Sequence, residues 1–585
     1  MKKLPVLSTC CGTLWLSVVA PAIASPPPPF EFPETIAQTL PPGDRQAPTD
    51  PLYQPRPGLE PLPTIPPGAP PLSPLESPTP APTPEQPIPD QETKIAVKKI
   101  VVLGSTVFSE AELAEVVRPY QNQYLTFEQL LEIRTAITRL YTERGYVTSG
   151  AFLPPQDDLA SGVIKIQVIE GELERLDIKG LEHVRDRYVR RRLERAAKPP
   201  LNLRELEATL QLLQQNPLFS SVRAELKAGT APGRSVLLVT LKEARAFHAA
   251  ALVANQNAPS VGAIQGTLIL SHDNVLGFGD RFSTDLGLSS GVTDFNVGYA
   301  FPVNARDGAL FLRYQRTRSQ IVEPPFSVLD INSISQTFSM GFRQPIVRTP
   351  STELALALSF DLRQSQTFLF GNEPFSFSPG PDRGESKVRV LRFTQDWITR
   401  NPQRVLAARS QFSFGLPIFG ATQNDAGIDG RFFSWVGQFQ WVQALSRDVI
   451  AIARVAAQLT PDALLPLEQF SIGGLDTVRG YRQNFRVGDN GVVGSLEIRF
   501  PILQQADGIG IVQLVPFVDV GKVWNKEFPI SSPQFLASTG LGLNWQAGSA
   551  FSARLDWGIP LVPVERQGNT LQDAGIVFSI RLQFF

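Results

Sequence analysis

Residues 433–441 read Phe-Ser-Trp-Val-Gly-Gln-Phe-Gln-Trp. As an extended strand they put Phe433, Trp435, Phe439 and Trp441 on one face and Ser434, Gln438 and Gln440 on the other, because successive strand side chains point to opposite sides. An outer face of large apolar groups and an inner face of amides is what a closed sheet in lipid requires. The same period recurs elsewhere. Leu354, Leu356, Leu358, Phe360 and Leu362 share a face, and near the end Phe578, Ile580, Leu582 and Phe584 alternate with Ser579, Arg581 and Gln583.

From about Ala246 to Phe585, about 16 such segments can be counted. The expected fold is a transmembrane β-barrel of 16 antiparallel strands over 246–585, preceded by soluble domains. Short connections fall at Asp273 to Asp280, Asn304 to Gly308, Arg348 to Glu353, Asn401 to Arg404, Ser446 to Asp448, Gln504 to Gly508 and Gly548-Ser549. Longer loops, such as Ile321 to Asn332 and Phe368 to Glu385, lie between them. Short turns on one rim and long loops on the other match an outer-membrane barrel. An even strand number also returns both barrel ends to the periplasmic side. A soluble β-sandwich would leave the outward aromatics unexplained.

Ahead of the barrel the composition changes twice. Lys2 and Lys3, the apolar run Leu4 to Val19 and the small residues Ala22-Ile23-Ala24 predict a signal peptide over 1–24. Both cysteines, Cys10 and Cys11, would leave with it, so disulfides, iron–sulfur clusters and cysteine-ligated zinc are not expected in the mature chain. Residues 25–93 hold about 24 of the 52 prolines and read as an extended, disordered linker.

Residues 94–245 read as an α+β unit used twice. Ile100 to Gly104 is a short strand ending in glycine, and Leu176 to Gly180 is its counterpart. Thr126, with Gln129 at the reciprocal position, caps a helix bearing Phe127, Leu130, Ile133, Ile137 and Leu140. Asn202 and Glu205 stand at the same offset before Leu203, Leu206, Leu210 and Leu213. Strand pairs follow each helix, Tyr146 to Leu153 with Val163 to Glu170, then Ser221 to Leu226 with Ser235 to Leu241. The order strand–helix–helix–strand–strand, repeated, gives domains at 94–171 and 172–245. The arginines at 185, 187, 190, 191, 192 and 195 form a basic helix face, read either as solvated or as facing anionic lipid or an acidic client.

This repeat resembles the POTRA domain. Pro154-Pro155-Gln156, followed by a strand ending in Glu170-Gly171, is similar to the first POTRA domain of two-partner secretion transporters, the TpsB family that includes FhaC and ShlB. A second resemblance lies in the barrel. Between the strands Val449 to Leu459 and Val492 to Phe500 stand about 32 residues, far more than a hairpin needs. They contain Val478-Arg479-Gly480-Tyr481, similar to the tip of the sixth loop in the superfamily shared by TpsB transporters and BamA-type assembly factors. The resemblance implies a loop folded back into the barrel.

In the strand Ile511 to Trp524, parity turns Val512, Leu514, Val518 and Val520 outward and Gln513, Phe517, Asp519 and Gly521 inward. Phe517-Val518-Asp519-Val520-Gly521 resembles the strand motif that meets that loop tip. An Arg479–Asp519 ion pair in the lumen is expected, with Gly480 and Gly521 allowing close approach. The terminal aromatic Phe585 resembles the signal read by barrel-assembly machinery.

No catalytic, metal or cofactor site is expected. The histidines, His183, His248 and His272, are not at ligand spacing. Gly277-Phe278-Gly279 and Gly540-Leu541-Gly542 have no helix after them, so the dinucleotide fingerprint fails. A net charge of −1 gives no footprint for nucleic acid. The resemblance implies transport of a secreted, TpsA-like client across the outer membrane, with outer-membrane lipid around the barrel and the POTRA domains in the periplasm. A barrel-assembly factor of the BamA type is the alternative; such factors usually have more POTRA repeats than the two visible here. A passive porin would need neither docking domains nor this loop. Phe30 to Leu40 is the one candidate for a plug helix, and Pro33 interrupts it.

Overall fold

The computed structural model describes residues 94–584, apart from 157, 158, 426, 447, 506–509, 528, 531, 566 and 567. The expected signal peptide, linker, plug helix and Phe585 lie outside the described residues. The chain divides into two compact units, one holding the described residues up to Ala244 with Leu276–Gly279, the other the remaining residues from Arg245 onward.

The first unit contains the repeat. Its first copy comprises β1 (Ile95–Val97), β2 (Lys99–Leu103), α1 (Glu110–Val117), β3 (Gln123–Leu125), α2 (Phe127–Glu143), β4 (Gly150–Phe152) and β5 (Val163–Ile169). Its second comprises β6 (Glu172–Lys179), α3 (Asp186–Ala196), α4 (Leu203–Gln214), β7 (Phe219–Ala228) and β8 (Arg234–Glu243). The sheets run β2-β5-β4 and β6-β8-β7, each with a parallel and an antiparallel pair, and β1 with β3 forms a separate ribbon. Thr126 and Gln129 close the capping box on α2. Leu130, Ile133 and Ile137 are buried beneath that helix, and Leu206, Leu210 and Leu213 beneath α4. Each such side chain contributes about 1.5–3 kcal/mol.

Three details differ from the pattern in the sequence. Strand β4 covers only Gly150–Phe152, because residues 146–149 are used in a turn: the Tyr146 N–H donates to Tyr141 O and the Ser149 N–H to Tyr146 O as the chain leaves α2. Asn202 caps α4 through the Arg204 N–H without a reciprocal bond recorded from Glu205; its amide nitrogen instead donates to Arg144 O of the first copy. The basic helix α3 is only partly a solvated face. Arg192 is buried, stacks 3.6 Å from the Tyr188 ring centroid and donates to Tyr188 O.

The two copies share a device that the residue pattern did not announce. Glu170, just past β5, accepts from the Thr106 and Val107 N–H groups at 2.6 and 3.1 Å and from the Tyr141 hydroxyl at 2.8 Å. Glu243, at the end of β8, accepts from the N–H groups of Glu182, His183 and Val184 at 2.8, 3.0 and 2.8 Å. In each copy a carboxylate closing the central strand ties down the turn that follows the first strand. Burial alone would raise both carboxyl pKa values, but these donors hold them below the usual carboxylate range.

The second unit is a closed barrel. Its strands are β9 (Phe247–Ala254), β10 (Gln265–Asp273), β11 (Arg281–Leu288), β12 (Val292–Pro302), β13 (Ala309–Gln320), β14 (Asn332–Arg348), β15 (Thr352–Leu369), the two-residue β16 (Glu373–Pro374), β17 (Glu385–Arg400), β18 (Arg404–Gly415), β19 (Phe432–Ala444) and β20 (Ile450–Leu459). A small hairpin, β21 (Phe470–Ile472) and β22 (Arg486–Gly488), interrupts the series. Then follow β23 (Asn490–Gln505), β24 (Gly510–Trp524), β25 (Phe535–Ala547), β26 (Phe551–Pro560) and β27 (Ile576–Gln583). Leaving out β16 and the hairpin, sixteen antiparallel strands close through β27 and β9. The expected short connections at Asp273 to Asp280, Asn304 to Gly308, Arg348 to Glu353, Asn401 to Arg404 and Gly548-Ser549 join consecutive strands. Those at Ser446 to Asp448 and Gln504 to Gly508 include residues outside the described ones, and the two expected longer loops follow β13 and β15. Phe433 and Phe439 face outward and exposed while Ser434 and Gln440 are buried on the inner face. No helix among the described residues is long and apolar enough to cross a membrane; strands do so here.

Candidate functional site

Residues 460–489 connect β20 to β23 and fold into the barrel, where Leu464, Leu465, Leu467, Ile472, Val478 and Tyr481 are all buried. Gly473 and Gly474 turn the chain with φ of +104° and +99°, values that side-chain-bearing residues rarely adopt. The segment that follows carries Val478, Arg479, Gly480 and Tyr481 to the wall formed by β23 to β26.

There Arg479 is 2% exposed and Asp519, on β24, is 0% exposed. The guanidinium Nε and Nη2 donate to the two Asp519 carboxylate oxygens, each at 2.7 Å, and the Arg479 backbone N–H adds a third bond at 3.1 Å. This two-pronged geometry is the strong form of an arginine–carboxylate pair. Ser495 Oγ accepts from Nη2 at 3.1 Å and donates to Asp519 at 2.6 Å. The guanidinium carbon stands 3.5 Å from the Phe517 ring centroid, so the aromatic residue two before Asp519 packs against the same cation.

The pair belongs to a larger cluster. Arg479 Nη1 also reaches Glu497 at 3.1 Å and Asp556 at 3.5 Å. Glu497, on β23, further meets Arg499 at 2.8 Å, Arg554 at 3.1 Å and Arg454 at 3.5 Å, and Arg554 bonds Asp556 at 2.6 Å. Four arginines thus share three carboxylates, with Arg479 the one cation of the cluster contributed by the loop. Buried charges are tolerable when so shared.

Small residues let the loop reach the wall. A Cβ on Gly521 would stand 2.9 Å from Val478 Cγ2, and one on Gly480, whose φ is +89°, would stand 2.9 Å from the Gly558 backbone. The Tyr481 hydroxyl donates to Ala537 O at 2.8 Å and accepts from the Val562 N–H at 3.2 Å. Arg482 binds Glu323, in the loop after β13, and Asp573, in the loop after β26. One short run of the loop therefore holds the wall and two further loops.

A second anchor lies at the start of the segment. Glu468, 9% exposed, accepts from Arg363 on β15 at 2.6 Å and from Arg392 on β17 at 2.8 and 3.0 Å. Arg392 is bonded in turn to Asp361 at 2.6 Å. The segment is held by its own carboxylate on one stretch of wall and by its own guanidinium on another.

The Pro155 and Gln156 motif sits in the first repeat, outside the barrel. Pro155 is exposed. The Gln156 amide donates to Lys165 O at 3.0 Å and accepts from the Lys165 N–H at 2.9 Å. It supplies a strand-like partner to β5 beyond the end of β4, where Pro154 has no N–H to give.

The sequence did not single out Glu497, Asp556, Arg554 or Glu468. A signal existed: Ser495, Glu497 and Arg499 alternate with Leu496, Ile498 and Phe500, and Arg554 and Asp556 flank outward Leu555. Parity marks such residues as luminal, but spacing cannot say which strands lie beside the folded-in loop.

Comparison with known proteins adds two family matches. Residues 233–545 match the haemolysin secretion/activation protein family ShlB/FhaC/HecB, and residues 95–171 match the ShlB-type POTRA domain. The outer membrane transporter CdiB of Escherichia coli is 27% identical over 492 residues, covering 80% of this chain and 79% of that protein. Among solved structures, CdiB from Escherichia coli superposes with a TM-score of 0.67 at 24% identity, over 87% of this chain and 94% of that one. BamA from Haemophilus ducreyi lacking POTRA domains 1–3 superposes at 0.51 with 15% identity, over 84% of this chain and 100% of that one.

Proposed function

Starting from the fact that this chain belongs to the haemolysin secretion/activation family ShlB/FhaC/HecB, we propose that the Arg479 cluster is the latch on a luminal loop that must move when a client passes. The chain is an outer-membrane transporter that moves a partner protein by two-partner secretion, with its POTRA domains in the periplasm. The observation that carries the latch is the loop itself. Residues 464–481 lie inside the barrel and are held by charge pairs at both ends. Apolar side chains of the loop pack in the lumen as well, but the charge pairs are the contacts that can exchange partners with a polar client or water.

The docking step falls to the repeats. Strands β2, β4, β6 and β7 are edges of their sheets, and an extended client segment can add to such an edge through main-chain hydrogen bonds. The basic face of α3 is assigned to an acidic stretch of the same client. Around the barrel, lipid meets the apolar exterior, and Phe585 is assigned to recognition by barrel-assembly machinery during biogenesis. The likeness to BamA is one of fold, whereas the family match favours the transporter over the assembly factor.

The test uses the full chain reconstituted in liposomes and presented with an unfolded, β-rich exported protein bearing its N-terminal secretion domain. Transport to a protease-protected compartment is expected, together with its loss when that domain is removed. Efficient insertion of unrelated barrel precursors into the bilayer, without transport, would assign an assembly role instead.

A further inference from the structure

On one side of the barrel the strands outrun the membrane. A spanning strand needs about 9–11 residues when tilted, yet β14 has 17, β15 has 18 and β17 has 16. On the lipid face of β14 and β15 the unbroken apolar series ends at Phe338 and its register partner Leu362, whose own partner on β17 is already Arg389. The next outward row toward the long loops runs across four strands: Arg316 opposite Gln336, Gln336 opposite Gln364, and Gln364 opposite Lys387. One step higher stands Arg318, opposite Ile334, in a row with Gln366.

At roughly 2.3 Å of height per tilted residue, these rows lie about 5 and 9 Å beyond the last apolar pair, the depth of the headgroup layer. The long loops mark this rim as the outer one, so the leaflet it meets is the outer leaflet. Lys387 is neutralised by Glu385 at 2.7 Å. Arg316 and Arg318 are exposed, and among the described residues neither has an ion-pair or hydrogen-bond partner. They share one face of β13, two residues apart; Gln336 stands beside Arg316 and Ile334 beside Arg318, while on the other side their partners on β12 are Phe295 and Thr293. The feature is local: on β19 the outward series Trp441, Phe439, Gly437, Trp435 and Phe433 carries no charged or amide side chain up to the outer end of its strand.

We propose that Arg316 and Arg318, with Gln336 and Gln364, form a binding surface for the phosphate groups of an outer-leaflet glycolipid. Paired guanidinium groups match phosphate by two-pronged hydrogen bonding, and at this height on a lipid-facing wall a glycolipid headgroup is what stands opposite. The surface lies on the outside of the barrel, so it is independent of how the client passes.

The experiment uses the full chain in detergent and purified lipopolysaccharide bearing its lipid A phosphates, with the bound glycolipid counted by native mass spectrometry. The dephosphorylated glycolipid serves as a second probe. Arg316→Gln/Arg318→Gln should lower affinity about thirtyfold, taking each arginine at its usual worth near an anionic surface. Arg404→Gln, an exposed arginine on the opposite rim, should leave binding unchanged, and wild-type binding should weaken steeply with salt. Equal binding by the double variant, equal binding of the dephosphorylated probe, or no binding by the wild type would each overturn the proposal.

Discussion

Removing Arg479 should not cost the same as neutralising Asp519, and the difference follows from the partner lists. In Arg479→Ala, Glu497 keeps Arg454, Arg499 and Arg554, and Asp556 keeps Arg554. Asp519 loses its one cationic partner among the described residues and is left, fully buried, with the Ser495 hydroxyl and a backbone N–H. Stranding a buried charge costs about 3–5 kcal/mol, and even the lower value shifts the docked-to-released ratio of the loop by about 150-fold. In Asp519→Asn, Arg479 retains Glu497 and Asp556, so the cost should be less than half as large. Single-channel recording in planar bilayers reads the released population as open time, and hydrogen exchange over 464–481 reads it independently. Arg479→Ala should open the pore far more than Asp519→Asn, and Arg479→Met/Asp519→Leu should fall below the sum of the single effects. Equal effects of the two single variants, or a loop still protected in Arg479→Ala, would refute the reasoning.

Other predictions concern separate parts of the molecule. Glu468→Gln should raise exchange at residues 464–468 while leaving 478–481 protected, since it loosens one anchor alone; hydrogen exchange resolves the two. Gly521→Val, whose side chain would intrude on Val478, should displace the loop and raise conductance with the barrel still closed, as checked by heat-modifiable migration on gels. Gln156→Ala should cost the first repeat about 1–2 kcal/mol and expose the Lys165 amide to exchange. The folded-state pKa of Glu170 is depressed, so its contribution to stability is present above the unfolded pKa and lost as pH falls through the folded one. Denaturant midpoints of the repeat pair should therefore drop below about pH 4, and Glu170→Gln should remove that part of the slope.

Much of the architecture could be read from the chain because a barrel in lipid leaves a period-two record on every strand, and Phe433 to Trp441 carries it plainly. Turn chemistry located the periplasmic connections, because glycine, asparagine and aspartate are needed where strands reverse. Reading was weaker where tertiary contacts override local pattern. Tyr146 to Ser149 looks like strand but serves as the exit from α2. Arg192 looks like part of a solvated face but packs on Tyr188. In the site, the motifs around Arg479 and Asp519 are compact in sequence, whereas Glu497, Asp556 and Glu468 come from distant segments. Their charges only acquire meaning once the loop lies inside the barrel, and no spacing encodes that. The Glu170 and Glu243 device is not legible in the residue pattern either: its acceptors are side chains, but most of its donors are backbone N–H groups.

In the proposed mechanism a client travels through the lumen, past the loop held by Arg479. Photo-crosslinking of a stalled client to single sites on β14 tests it most directly, comparing the inward Ser335 with the outward Met340. Strong crosslinks are expected at Ser335 and none at Met340, with a parallel loss of exchange protection over 464–481 while the client is engaged. Crosslinks from the lipid face, with the loop still docked, would contradict passage through the barrel and point to insertion along its wall.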